Sequence, residues 1–227
     1  IRNCLVALAE TETLMDEVLN YRFPQGEGLV GHSLGNLVLA GLTELTGGID
    51  LAIRELSKVL AVRGKVLPST LDQAQLCAEY GDGTIVRGES SIPAFGKRIK
   101  RVFLSPAACS LFAEAKAAIG NADLIVLGPG SLYTSVLPNL LVAGMVDTLK
   151  RAPAPIIYVC NIMTQPGETD GLTASGHLEA LIQHMKCNII NYIVVNNSGI
   201  PSDILQKYKE EGSFPVKVDK RAIEKLG

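Results

Sequence analysis

DLIVLGPGSLYTS, residues 123–135, is the stretch that decides the fold. Its first five residues form a short, nearly continuous apolar run. Bounded by turn residues, such a run reads as a β-strand covered on both faces, as in a parallel sheet. It stops at Gly128-Pro129-Gly130, and a helical pattern follows over 135–150. The same unit then recurs. IIYVC at 156–160 reads as a second buried strand, 174–185 as a helix, 189–195 as a third strand and 202–211 as a helix. A fourth, short strand is expected at 216–218, and a helix at 111–119 precedes the first strand. Strands alternating with helices of this length imply parallel pairing through right-handed crossovers. The fold class is therefore α/β: a doubly wound, three-layer sandwich with a mostly parallel sheet.

Upstream of that unit the texture differs. Helical spacing covers 3–21, with Leu5, Leu8, Leu14, Met15, Val18 and Leu19 at the apolar positions. A second helix is expected over 33–46, with Ser33 as N-cap and Gly47-Gly48 as the stop, and a third over 50–60. Residues 64–104 read as a small antiparallel β insert: a strand at 65–67, a hairpin of 75–80 and 84–88 around Gly81-Asp82-Gly83, and a strand at 101–104. Residues 1–227 are expected to be one domain, truncated at both ends. The opening IRNCLVAL has no initiator methionine and reads as a helix whose upstream part is absent.

With 47% apolar and 19% charged residues, the composition is that of a globular chain and excludes disorder. The 21 basic and 23 acidic residues leave a net charge of −2, which gives no global attraction to nucleic acid or an anionic membrane. Phosphate recognition must then be local. The densest basic cluster, Lys97, Arg98, Lys100 and Arg101, reads either as a solvated turn or as a source of one phosphate-binding cation. Cys4, Cys77, Cys109, Cys160 and Cys187 form no CxxC pair and no zinc spacing, so buried, reduced thiols of a cytoplasmic protein are expected. No stretch of about 18 apolar residues exists to cross a membrane.

In such sheets ligands bind outside the carboxyl ends of the strands, so the loops there matter most. After the first strand, Gly128 and Gly130 let backbone approach a ligand, while Ser131, Thr134 and Ser135 supply hydroxyls. The start of the next helix favours an anion. The segment matches neither GxGxxG nor a P-loop, and its plainer reading is a tight turn with a cap. After the second strand, the loop 161–171 is long and polar. Asn161 sits at the strand end, with Thr164, Gln165, Glu168 and Thr169 beyond it. Glu168 and Asp170 are candidates to hold a metal through a phosphate; otherwise this is a solvated loop. His32 and Asn36 share a face at the start of a helix, and Arg63 and Lys65 place two cations near the insert. His177 and His184 lie on one helix face but are too few for zinc. GHSLG at 31–35 mimics a hydrolase nucleophile elbow without the preceding strand that an elbow needs.

Several strings together resemble one family: RN at 2–3, GHSLGN at 31–36, RGKVLP at 63–68, GESSIP at 88–93, GPGSLYTSVLPN at 128–139 and NIMTQPGETD at 161–170. Taken in order, they resemble the bacterial gluconeogenesis-factor family, relatives of 2-phospho-L-lactate transferase. The resemblance implies a Rossmann-like cytoplasmic protein that binds uridine nucleotide sugars and acts in carbon metabolism, cell shape and envelope synthesis. It also implies a missing glycine-rich segment upstream and a missing segment after Gly227. In the expected ligand set Gly128, Gly130, Ser131 and Thr134 hold phosphates, Asn161 and Thr164 read the nucleoside or sugar, and His32 and Asn36 line the opposite wall, with Tyr133, Ser135, Met163, Glu168, Arg2, Asn3 and Arg63 completing it. The expected partner is a UDP-sugar or other nucleotide, with no nucleic acid or membrane, in a homo-oligomer. The competing reading is a phospholactyl-type transferase using a nucleoside-diphosphate-activated donor, with Mg2+ as its cofactor. A third is an interaction module whose pocket is filled by its own side chains.

Overall fold

The computed structural model describes residues 1–9 and 13–227. They form two compact units, Ile1–Leu71 and Asp72–Gly227.

The first unit is helical. Where one helix is expected over 3–21, the described residues form α1 (Arg2–Leu8) and α2 (Thr13–Asn20), and residues 10–12 of that expectation lie outside the described residues. α3 (Leu34–Thr46) and α4 (Ile49–Val59) follow. α3 starts and stops where local chemistry dictates. The Ser33 hydroxyl accepts from the Asn36 amide at 3.3 Å, and Gly47 ends the helix at φ +80°. Ala52, Ile53 and Leu56 of α4 are buried, and Ile53 and Leu56 pack with Leu5, Leu19 and Leu60 into the core of this unit. Residues 65–67 are not the expected strand. Instead of finding a partner strand, the segment runs irregularly past α1, with the Arg63 amide on the Leu8 carbonyl at 2.8 Å and Val66 against the helical core. Among the described residues no single helix is long and apolar enough to cross a membrane.

The second unit contains both sheets. β1 (Gln75–Tyr80), β2 (Ile85–Arg87) and β3 (Ile99–Ser105) form the antiparallel sheet in the order β2-β1-β3, and α5 (Ser91–Ala94) lies between β2 and β3. The Tyr80 hydroxyl anchors α5 by donating to the Ile92 carbonyl at 2.7 Å inside the core. β4 (Ile125–Leu127), β5 (Ile156–Val159) and β6 (Tyr192–Val194) form the parallel sheet in that order, with Val126 opposite Ile157 and Ile157 opposite Tyr192. The α/β class, with a parallel sheet and a small antiparallel one, agrees with the expectation.

Three local expectations do not hold. The first strand is not covered on both faces: Ile125, Ile156 and Tyr158 are buried, but Val126 and Val194 are each 50% exposed and Tyr192 63%. These exposed residues project from one face of the sheet, where the described residues supply no covering layer. The expected helix over 135–150 is three pieces. A π-helical turn (Leu132–Val136) and α7 (Leu137–Leu140) are followed by a break at Gly144 (φ +87°) and α8 (Met145–Arg151). The break lets Ala143 pair with 109–111: its amide donates to the Cys109 carbonyl at 3.0 Å. Finally, 216–218 is no strand. The chain there makes isolated contacts instead, the Val216 amide donating to the Ile162 carbonyl and the Ala174 amide at the start of α9 donating to the Lys217 carbonyl, each at 2.9 Å. α6 (Ala113–Gly120), α9 (Ala174–Met185), α10 (Ser202–Glu210) and a short α11 (Lys220–Ile223) complete the unit. Leu132, Leu137, Tyr158 and Leu181 are among its largest fully buried side chains.

Candidate functional site

The loops after β4 and β5 lie side by side. Gly128, at φ +80°, passes so near β5 that a Cβ there would sit 3.0 Å from the Val159 carbonyl oxygen. Only glycine suits that backbone conformation and that approach. A chain of polar contacts then joins the loops. The Gly130 amide donates to Asn161 Oδ1 at 3.4 Å, Asn161 Nδ2 to Gln165 Oε1 at 3.4 Å, and Gln165 Nε2 to Ser131 Oγ at 2.8 Å. Gln165, the hinge of this chain, was one polar residue among several in the sequence. Its pairing with Ser131 is non-local and had no sequence signal.

The turn at 131–136 differs from the expected phosphate cradle. The amides of Tyr133, Ser135 and Val136 are taken by the chain itself. Ser135 and Val136 both donate to the Ser131 carbonyl at 2.9 Å, the geometry of the π-helical turn. Tyr133 donates its amide to Glu168 Oε2 at 3.2 Å, and the Thr134 hydroxyl donates to Glu168 Oε1 at 2.8 Å. An anion does sit at the start of this helical segment, as its dipole favours, but it is the side chain of Glu168. Burial pushes the Glu168 carboxyl above its ordinary range, against the opposing pull of Thr134 and Tyr133. Glu168 and Thr134 are therefore braces of the turn, and Ser135 is exposed beside it.

Other expected ligand residues also take internal partners. Thr164 is buried, with its hydroxyl accepting from the Phe214 amide at 2.9 Å and its own amide donating to the Phe214 carbonyl at 2.7 Å. Met163 lies half-buried beside it and bridges Pro215. Asp170 accepts from the Gly167 amide at 2.6 Å. Both Glu168 oxygens are thus engaged, and the described residues hold no group of three His, Cys, Asp or Glu side chains able to bind a metal.

Two cavities adjoin this framework. One, of about 660 Å3, is lined by Pro129, Asn161, Met163, Gln165, Glu168 and Tyr208 among others. The other, of about 420 Å3, lies at the carboxyl ends of β5 and β6 between Asn161 and residues 195–200. Both are of the size that takes a small ligand. Cys160, Asn161 and Ile162 line both. The sequence reading passes over Asn196-Asn197-Ser198-Gly199, although the carboxyl-end rule applied to β6 points to that segment.

The nucleophiles and bases nearby are quiet. Burial pushes the Cys160 thiol up to about 11, so it stays protonated at neutral pH. Burial also pushes the Tyr158 hydroxyl upward and holds His177 and His184 below their ordinary range. Val102 donates its amide to His184 Nε2 at 3.0 Å, which leaves Nδ1 to donate to the Ala180 carbonyl at 2.6 Å. Ser33 is fully buried as a helix cap, so GHSLG presents no nucleophile.

His32, Asn36, Arg2, Asn3 and Arg63 belong to the first unit. His32 and Asn36 are exposed at the start of α3, and Arg2 donates to Asn3 Oδ1 at 2.6 Å and to the Leu19 carbonyl at 3.3 Å. The basic cluster is mostly committed to the hairpin: Lys97 pairs with Asp82, and Lys100 and Arg101 with Glu79, each at 2.6 Å. Cys77, Cys109 and Cys160 are buried free thiols as expected, whereas Cys4 is exposed on α1.

The family model of 2-phospho-L-lactate transferase CofD matches residues 1–227. The gluconeogenesis factor of Halalkalibacterium halodurans is 52% identical over 227 residues, which is 100% of this chain and 70% of that protein. The gluconeogenesis factor of Bacillus subtilis is 50% identical over 227 residues, 100% of this chain and 72% of that protein. A crystal structure of a Bacillus halodurans protein superposes with a TM-score of 0.93 at 52% identity, covering 100% of this chain and 73% of that one.

Proposed function

Because the chain belongs to the 2-phospho-L-lactate transferase CofD family and is similar throughout its length to gluconeogenesis factors, we propose that it binds a uridine nucleotide sugar and acts as a regulator rather than a catalyst. Growth on gluconeogenic carbon, cell shape and envelope synthesis are the outputs it would serve. The observation that carries this reading is the pairing of two ligand-sized cavities with an inert lining. Asn161 stands between the cavities, tied to Gly130 and Gln165. Around it the thiol stays protonated, and the carboxylates of Glu168 and Asp170 brace backbone. Binding and orientation need no more than this, whereas acid–base or nucleophilic catalysis does.

Isothermal titration of the 227-residue chain with UDP-sugars tests the proposal. Saturable heat is expected at submillimolar ligand, weakened about tenfold by Gln165→Ala, which removes the link to Ser131. A flat trace at millimolar ligand sinks it. The transferase reading predicts turnover of a nucleoside-diphosphate-activated phospholactyl donor, and measured turnover would replace the regulatory reading.

A further inference from the structure

The cavity of about 420 Å3 at the carboxyl ends of β5 and β6 has a lining that favours one part of a nucleotide over the others. Among the described residues no lysine, arginine, aspartate or glutamate lines it. Its floor and walls are apolar, from Ala174, Val195, Leu205 and Val216, and its polar edge is made of side-chain amides. A diphosphate would gain nothing from these walls, since anions need cations or converging N–H donors. A flat, uncharged ring with hydrogen-bonding edges gains from both surfaces.

The two neighbouring asparagines at the edge have different duties. Asn196 is spent on its own turn, its Oδ1 accepting from the Ser198 amide at 3.2 Å and its Nδ2 donating to the Ser198 carbonyl at 2.9 Å. That turn holds Asn197 at the cavity, where its exposed side chain makes no hydrogen bond to the described residues. A carboxamide offers one donor beside one acceptor, which complements the adjacent N–H and carbonyl of a uracil edge. α10 closes the far side through Leu205, and it buries none of its own residues. The adjoining cavity of about 660 Å3, reached past Asn161 and edged by Gln165, Tyr208 and Ser213, is left for the sugar.

Resting on the nucleotide-sugar reading above, we propose that this crevice is the nucleobase subsite and that Asn197 reads the base edge. The experiment is titration of the 227-residue chain with uridine diphosphate and with uridine alone, in the wild type, Asn197→Ala and Leu205→Trp. Asn197 is exposed and unbonded, so its removal is expected to leave the thermal midpoint unchanged while weakening both ligands about tenfold. Leu205→Trp fills the crevice and is expected to abolish uridine binding. It is the second, independent arm. If the wild type binds uridine diphosphate and both variants bind it equally well, the base lies elsewhere, and this inference fails while the proposed function stands. If the wild type binds neither uridine diphosphate nor UDP-sugars at millimolar concentration, the proposed function fails and takes the subsite with it.

Discussion

Glu168 is 8% exposed, and its two carboxylate oxygens meet the Tyr133 amide and the Thr134 hydroxyl. Replacing it by alanine leaves both donors facing a place water reaches poorly. The expected cost is about 2 kcal/mol, read as a lower urea midpoint; an unchanged midpoint would show that the turn does not depend on this brace. Glu168→Gln keeps one acceptor and removes the buried charge, so it is expected to cost less than alanine. The titration of this carboxyl and of the buried histidines has opposite signs. The Glu168 carboxyl is raised in the folded chain, so its contribution is present below its ordinary value of 4.5 and is lost as pH rises through the folded value. His177 and His184 are lowered by burial, so the unfolded chain takes up protons first as pH falls below their ordinary value of 6.5. Stability is then expected to fall as pH drops through that value. His184→Gln removes one of these groups and is expected to flatten that decline in urea midpoint. The same steepness in the variant would mean that His184 plays no part.

At the scale of elements, the loop after β5 makes its closest backbone approach at a glycine. Gly167 adopts φ +77°, and a Cβ there would run into the Pro93 carbonyl at the end of α5. Gly167→Ala therefore combines left-handed strain with a backbone collision, for which about 3 kcal/mol is expected. A thermal melt checks it, and a midpoint within a degree of the wild type would show that the loop shifts freely. Much of the element pattern was legible beforehand. α3 announces itself by Ser33 and Gly47, α9 by its apolar spacing, and the β1–β2 hairpin by Gly81-Asp82-Gly83, because caps and turns are local chemistry. The division of 135–150 was not legible. Leu137 and Leu140 continue a helical pattern, and the interruption follows from Ala143 pairing with Cys109, a contact between distant residues. Residues 65–67 and 216–218 carry strand-like composition, but a strand exists only where a partner offers its ladder.

On the scale of the whole chain, the two units have separate cores, one around Ile53 and Leu56 and one around Leu137 and Tyr158. Leu137→Ala is expected to cost about 3 kcal/mol through the cavity it leaves and to raise amide hydrogen exchange in α7, β4 and β5. Ile53→Ala is expected to do the same in α3 and α4. Unchanged exchange in β5 after Leu137→Ala would remove Leu137 from that core. The parallel sheet within the second unit leaves Val126, Tyr192 and Val194 exposed on one face, so its apolar runs report strand character faithfully and burial only in part.

From the residues alone came the α/β class, the parallel sheet and the antiparallel one, the capped helices, and the two polar loops at the ends of β4 and β5, because each is written in short-range periodicity or turn chemistry. Tertiary structure alone decided that Glu168 takes the anion position at 133–134, that Gln165 ties the loops through Ser131, and that Asn197 borders a crevice with no charged lining. Those facts rest on side chains from loops after different strands meeting in space, and sequence separation carries no measure of that distance.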